Sequence, residues 1–486
     1  MIPVWSVAQI RAAEAAVIAE VGEAAVMQRA AYGLAVHCSR VLGRPYGARV
    51  VLLVGAGNNG GDALYAGVEL LRRGAAVHAV LLNPERVHVR GVLALVRAGG
   101  TTGSASAARS RLDGADLVVD GIIGIGGRGA LRAPAEDLVA GLATPVVAVD
   151  VPSGVDADTG NRAGAAVRAH STVTFGGYKP GLLVGAGPAA AGHVRLVDIG
   201  LAPHLRDPVA GVLEPGDVAA LLPVPGAGED KYSRGVVGVV SGSAAYEGAA
   251  VLSVGGALRA KAGMVRYAGS AAAGIRSRWP EAVVNEGRPA AAGRVQAWVI
   301  GPGLGTDEEA AGLVAEVLTG DVPVLVDADG LTVLSRSPEL LRDRTAPTVL
   351  TPHDREFERL FGAVGGDRVD AARRAAADSG AVVLLKGQAT IVAEPAGRVR
   401  INPTGSHWLA TAGTGDVLSG LAGALLAAGL DPLDAAAAAA YVHGMAGALA
   451  AGEPGGPIIG MDVVDAIPAA IRSVRSQRSA SIKARR

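Results

Sequence analysis

Two α/β domains in one chain are predicted by three observations: the length, a composition of small apolar residues, and two separate runs of alternating strand and helix patterns. The chain has 486 residues, and single hydrophobic cores stop growing at roughly 250 to 300 residues, after which chains divide. Half of the residues are hydrophobic, yet only 3% are aromatic and 70 are glycine. Such small side chains suit helices packed closely on buried parallel strands.

The N-terminal segment "MIPVWSVAQIRAAEAAVIAEVG" carries Arg11, Glu14 and Glu20 at helical spacing, which predicts an amphipathic helix; it lacks the layout of an export signal. The first alternation follows in "RVVLLVG", "AVHAVLLN", "ADLVVDG", "TPVVAVDVPSG", "STVTFGG" and "HVRLVDIG", read as strands of a parallel sheet. It fails in a Pro- and Gly-dense stretch around 203–228 that carries one short helix at most. A boundary is expected there, giving a domain 1–205 and a linker 206–211. The second alternation, "GVVGVVSGS", "MVRYAGS", "AWVIGPGLG", "VPVLVDADG", "PTVLTPH" and "AVVLLKGQAT", ends in a helical stretch from Gly413 and defines a domain 212–478. The basic tail 479–486 is expected to be a frayed, solvated terminus in preference to a nucleic-acid arm.

Forty-five basic residues balance 45 acidic ones, so no global field favours nucleic acid or an acidic membrane surface. No uncharged apolar run is long enough to span a membrane. The single cysteine, Cys38, has no intrachain disulfide partner and is expected to be a buried small hydrophobe. A cytoplasmic protein with small-molecule ligands is expected.

In "VLLVGAGNNGGDAL", Gly55, Gly57 and Gly60 hold the spacing G-x-G-x-x-G between a strand and a helix, which predicts a Rossmann-like turn. A dehydrogenase would also place an acid at the end of the next strand to hold a ribose, but "AVHAVLLN" ends in Asn83 and Pro84. Instead Asn58, Asn59 and Asp62 put two amides and a carboxylate at the helix N-terminus, with a helix cap as the plainer reading of Asp62. Asp120 ends another strand and precedes a glycine loop, Gly124, Ile125, Gly126, Gly127, Arg128, Gly129 and Ala130, whose amides suit a phosphate. Asp150 and Ser153 end a third strand.

In the second half, Gly413 and Gly415 open an apolar helix with Asp416 in its first turn, so free amides gather beside a carboxylate. Lys386, Gly387 and Thr390 follow a strand in an arrangement suited to a nucleotide, and His353 follows another. A tight turn at Gly301 to Gly305 is the fourth such feature, and together they point to one cleft. No zinc-type Cys/His spacing exists.

Across about 1–205, "GNNGGDAL", "VVDGIIGIGGRG" and "DVPSGVDADTG" resemble the NAD(P)H-hydrate epimerase family. The resemblance implies that Asn58, Asn59, Gly60, Gly61, Asp62 and the loop Gly124 to Ala130 hold a hydrated nicotinamide dinucleotide, NAD(P)HX. It also implies a potassium ion at Asn59, Asp120 and Ser153, and contact of Asp150 with the nicotinamide end. Asp150 is then the natural acid/base, with Lys179 of "FGGYKPG" either an assisting charge or a structural or phosphate-binding group.

Across about 212–478, "EDKYSRGVVGVVSGS", "VVLLKGQAT" and "ATAGTGDVLSGL" resemble the ADP-dependent NAD(P)H-hydrate dehydratase family, whose fold is ribokinase-like. The resemblance implies an AMP-part site at Lys386, Gly387, Gln388, Ala389, Thr390 and Gly415, and hydrate contacts at Ala249, Gly303, His353 and Asp416. ADP with Mg2+ is the implied co-substrate, and Asp416 the base for the substrate hydroxyl. The family's usual "DADAL" is "DADGL" here, with Gly330, and Arg355 stands where the family usually has glycine. A homo-oligomer is expected. Two alternatives stay open: a small-molecule kinase in the second domain, and a non-catalytic nucleotide-binding module in the first.

Overall fold

The apolar runs become strands in the computed structural model, which describes residues 1–127, 129–226, 228, 230–260, 262–342 and 344–484, the stretch 478–484 by backbone alone. Arg128, expected in the second glycine loop, lies outside the described residues. Two compact units emerge, Pro3–Ala210 and a second made of Met1–Ile2 with the chain from Gly211 onward.

After β1 (Ile2–Val4), the first unit contains β2 (Arg49–Val54), β3 (Ala76–Leu81), β4 (Thr101–Ser104), β5 (Leu117–Gly121), β6 (Val146–Val149), β7 (Ser171–Phe175) and β8 (His193–Val197). The seven-stranded sheet has the order β4-β3-β2-β5-β6-β7-β8 and is parallel throughout. Alternate residues of β2 enter different cores: Val50, Leu52 and Val54 join one apolar cluster, Val51 and Leu53 another. A strand buried on both faces needs a continuous apolar run, and the result is three layers. Strand order reverses between β2 and β5, so a crevice opens beyond their C-terminal ends.

The second unit contains β9 (Ala210–Val212), β10 (Val236–Val240), β11 (Met264–Ala268), β12 (Val283–Asn285), β13 (Ala297–Ile300), β14 (Val324–Val326), β15 (Thr348–Leu350), β16 (Val382–Leu385), β17 (Thr390–Ala393) and β18 (Val399–Asn402). The sheet order is β1-β9-β18-β17-β16-β15-β14-β13-β10-β11-β12, with β16, β17 and β18 antiparallel to their neighbours in that run. Here the order reverses between β10 and β13.

The Pro- and Gly-dense stretch holds the helix Pro215–Leu221 and also β9, more order than its composition predicts. The helix Gly460–Ala484 runs into the basic tail. Buried Val463, Val464, Ile467, Ala470, Ile471 and Val474, at helical spacing, pack that helix on the core.

The helix Thr414–Ala427 packs on Glu247–Arg259 through glycines: a Cβ at Gly420 would lie 1.9 Å from the Ser253 carbonyl oxygen, and one at Gly256 2.3 Å from that of Val417. Gly420→Ala therefore forces the helices apart, with an expected loss of about 1–3 kcal/mol. Because that helix begins at Gly413 to Asp416, reactions of the second unit should suffer and those of the first should not; denaturant midpoints and separate rate assays check both.

Candidate functional site

In the first unit, a cavity of about 590 Å³ lies at the reversal of strand order. Gly55 N–H bonds the Gly121 carbonyl, and a Cβ at Gly55 would lie 1.9 Å from the Ile122 carbonyl oxygen, so the first glycine lets β2 and the chain after β5 approach. Gly57, at φ +90°, turns the chain into the helix Asn58–Arg72. Asn58, Asn59 and Asp62 face the cavity from that helix, and the Asn58 amide donates to Glu23 at 3.1 Å. Asp62 is not a cap: the N-cap is Gly57 and makes no side-chain cap bond. Gly60 and Gly61 serve close packing, against the Gly55 carbonyl and against His88 and Met27.

Gly124, Ile125 and Gly126 of the second glycine loop border the cavity, and Gly127 N–H closes the loop on the Gly124 carbonyl. Gly129 adopts φ +81°, and Ala130 sits against Gly164. Asp120 is fully buried below the loop, accepting from Ser153 Oγ at 2.6 Å, Ser153 N at 2.9 Å and Ile122 N at 3.2 Å. Burial pushes its carboxyl up to about 6 against those hydrogen bonds. Asn59 packs beside Gly124, and its Nδ2 is buried without a partner.

Asp150 follows β6 with φ +66°, a strained conformation for a non-glycine residue and one that often marks a functional position. Its Oδ1 accepts from Lys179 Nζ at 2.6 Å, Thr174 Oγ1 at 3.1 Å and Phe175 N at 3.1 Å. Lys179 is wholly buried and also donates to Thr174 Oγ1 and the Phe175 carbonyl, both at 2.9 Å. Two acids without an ion-pair partner among the described residues share the cavity, Asp62 and Glu14. Burial, reinforced by Asp150 and Glu14, pushes Asp62 well above the carboxylate range. Glu14 is raised by burial and Asp150, against Lys179 and Arg11. Glu14 and Arg11 were legible in the sequence only as one face of a helix.

In the second unit, a cavity of about 910 Å³ collects His353, Arg355, Lys386, Gly387, Gln388, Thr390 and Gly415. Ala389, buried between Gln388 and Thr390, holds that turn. Lys386 Nζ lies 2.8 Å from Asp327 Oδ1 and 3.7 Å from Glu356, and Asp327 also accepts from Ser419 Oγ at 2.6 Å. Burial disfavours the ammonium, but Asp327, Glu356 and Asp416 outweigh it and raise its pKa. Gly413, at φ +89°, starts the helix Thr414–Ala427. Asp416 in its first turn is pushed up to about 7, by burial first and then by Asp327, against Lys386.

His353 caps the helix Asp354–Phe361, its Nδ1 accepting from Glu356 N, and also borders the cavity. Ala249 and Gly303 adjoin one another, a Cβ on Gly303 falling 2.7 Å from that of Ala249. The glycine at position 330 leaves room for a tight turn: a Cβ there would meet Val326 Cγ1 at 2.8 Å and Gly301 Cα at 3.2 Å. Asp327, Glu356, Ser419 and His443 were missed in the sequence. His443 is buried, its pKa pushed down to about 4 by that burial, and its Nε2 bonds the Thr414 carbonyl at 2.8 Å.

Among the described residues no helix is long and apolar enough to cross a membrane. Residues 23–181 match the family model of the YjeF-related protein N-terminus, and residues 237–469 that of NAD(P)H-hydrate dehydratase. The chain is 53% identical to the bifunctional NAD(P)H-hydrate repair enzyme Nnr of Mycobacterium leprae, over 93% of this chain and 94% of that one. It is also 53% identical to Nnr of Mycobacterium tuberculosis, over 89% and 91%. The ADP/ATP-dependent NAD(P)H-hydrate dehydratase of Bacillus subtilis, co-crystallised with ATP and Mg2+, matches 55% of this chain and 99% of its own with a TM-score of 0.50 and 31% identity. A cavity beyond the strand ends of each unit, in a chain 53% identical over nearly its whole length to the Nnr enzymes, places it in the bifunctional NAD(P)H-hydrate repair enzyme family.

Proposed function

We infer that the first unit, which the domain reading bounds at 1–205, interconverts the R and S forms of NAD(P)HX. The second, 212–478, dehydrates the S form with ADP, giving NAD(P)H, AMP and phosphate. The observation that carries this reading is the pairing of the two cavities: one is bordered by carboxylates suited to proton transfer, the other by a lysine and glycine amides at the start of the helix that carries Asp416. One activity yields the epimer the other consumes.

In the first unit, Asn58, Asn59, Asp62 and the loop beginning at Gly124 hold the dinucleotide, with Asp150 at the nicotinamide end. The hydroxyl on ring carbon 6 leaves when protonated and returns on the other face, and Asp150, oriented by Lys179, exchanges the proton. Potassium fits this site. Asp120 and Ser153 offer oxygens already gathered together, and a half-turn of the Asn59 amide replaces its unpartnered nitrogen by an oxygen. When bound, the ion supplies positive charge beside a buried carboxylate.

In the second unit, Lys386 to Thr390 and Gly415 hold the AMP part, and Ala249, Gly303 and His353 the hydrate. Asp416 takes the proton of the substrate hydroxyl, and the amides at Gly413 to Gly415 face the transferring phosphoryl group. Phosphate then leaves where hydroxide would not. The Bacillus subtilis relative, crystallised with ATP and Mg2+, supports a nucleotide with its metal here. The described residues hold no group of three or more His, Cys, Asp or Glu side chains placed to hold a metal ion, and Mg2+ is expected to arrive on the nucleotide, whose phosphates supply oxygens.

The test gives the full chain each epimer, with and without ADP and Mg2+, and follows absorbance of the restored dihydronicotinamide above the enzyme-free rate. Both epimers should be consumed only with ADP and Mg2+; replacing K+ by choline should slow consumption of R and spare S. Consumption of neither sinks the reading, consumption of S alone removes the epimerase, and net phosphorylation without dihydronicotinamide favours a small-molecule kinase.

A further inference from the structure

The first cavity holds more acid than the epimerase reading uses. Asp150 has a counter-ion in Lys179 at 2.6 Å. Glu14 borders the same cavity from the helix Val7–Val21, on the face it shares with Arg11 and Ile18, and its half-buried carboxyl has no hydrogen-bond or ion-pair partner among the described residues. The helix is firmly placed: Ser6 and Gln9 form a capping box, and Ile10, Ala13 and Val17 are buried. Asp62, more than nine-tenths buried, also faces the cavity without a partner among the described residues. An unpartnered carboxyl at such a position is costly unless a ligand or a proton satisfies it.

Moving a hydroxyl from one face of a ring to the other needs two proton transfers, one to the departing oxygen and one from the arriving water. The geometry points to Glu14 as the second proton-handling group of the epimerase, serving the face of the ring opposite Asp150. In the R-to-S direction Glu14 donates its proton to the hydroxyl on carbon 6, the carbon–oxygen bond breaks with its electron pair going to oxygen, and water departs. The ring nitrogen's lone pair forms a double bond to carbon 6, leaving a ring cation. Water adds to the other face, its proton passes to the Asp150 carboxylate, and the nitrogen regains its lone pair. Nothing is oxidised or reduced. The turnover leaves Glu14 ionised and Asp150 protonated, and proton exchange with solvent resets both before the next turnover.

The charged groups facing Glu14 are Arg11 on its own helix, Glu23 from Glu23–Leu42, Asp62 from Asn58–Arg72, and Asp150 and Lys179 at the ends of β6 and β7. Burial and Asp150 keep the proton on Glu14 to higher pH than usual, Lys179 and Arg11 opposing. A group that donates must be protonated, so the R-to-S rate should fall as pH rises through the raised Glu14 pKa.

The inference rests on the epimerase reading, and the experiment separates the two. Consumption of R and of S is measured for the full chain and for Glu14→Gln and Glu14→Asp, with ADP, Mg2+ and K+ present and pH varied. Glu14→Gln should lower kcat for R about 100-fold with KM nearly unchanged, abolish the alkaline fall and leave S consumption intact; Glu14→Asp should keep the fall. An R rate above a third of the original, a loss confined to KM, or an alkaline fall that survives Glu14→Gln overturns the assignment. If Glu14→Gln also loses S consumption, Glu14→Asp decides: a shifted or retained fall supports Glu14, complete loss overturns it. A native chain that never consumes R overturns the epimerase reading itself.

Discussion

Replacing Asp416 with Asn lowers dehydration of the S hydrate about 10²- to 10⁴-fold, the range set by loss of a general base, and leaves R-to-S conversion unchanged. The carboxyl sits in the first turn of Thr414–Ala427, beside the amides released by Gly413 and within the field of Asp327 and Lys386. Burial pushes it up to about 7, so its charged form, the base, is lost as pH falls through about 7. Dehydratase kcat should therefore climb with pH across neutrality, and the Asn variant should show neither the rate nor the climb. Asn keeps the side-chain volume and the helix start, so folding is expected to survive. A variant with more than a tenth of the original rate, or a native profile flat across neutrality, removes Asp416 from the role of base.

Asp150→Asn has two expected effects that must be separated. Epimerisation falls at least 100-fold with loss of the proton acceptor. The first unit is also destabilised, because Lys179 is left charged and wholly buried; breaking one side of such a pair costs about 3–5 kcal/mol. The double variant Asp150→Asn with Lys179→Met removes the stranded charge and should regain much of the stability while epimerisation stays low. Recovery of epimerisation in the double variant would mean that Asp150 is there only to neutralise Lys179. Denaturation followed alongside R consumption reads both quantities, with S consumption as the internal standard.

Much of the site was legible because the relevant residues lie in short motifs that end strands. Asn58, Asn59 and Asp62 follow β2, Asp120 ends β5, Asp150 follows β6 and Lys386 follows β16, and all but Asp150 adjoin glycines that let the chain turn there. The reading of Asp62 as a helix cap failed because Gly57 occupies the cap position and the helix begins at Asn58, which places Asp62 inside it. Asp327 and Glu356 were hidden because their partner, Lys386, lies on another strand end. Glu14 was hidden more deeply: nothing in an amphipathic helix tells which polar residues face solvent and which face a cavity.

By itself the sequence determined the two α/β alternations, the glycine turns and the local order of amides, acids and lysine around them, since strand periodicity and turn chemistry act over a few residues. Tertiary structure alone decided which strand ends meet and in what protonation state. Strand order places β2 beside β5, opening the first crevice, and brings the ends of β15 and β16 together at the second. Burial then raises Asp120, burial and the charges of Asp327, Asp329 and Glu356 raise Asp416, and the fold sets Lys179 against Asp150. Those energies depend on distance in space and on exclusion of water, which the spacing of residues along a chain does not encode.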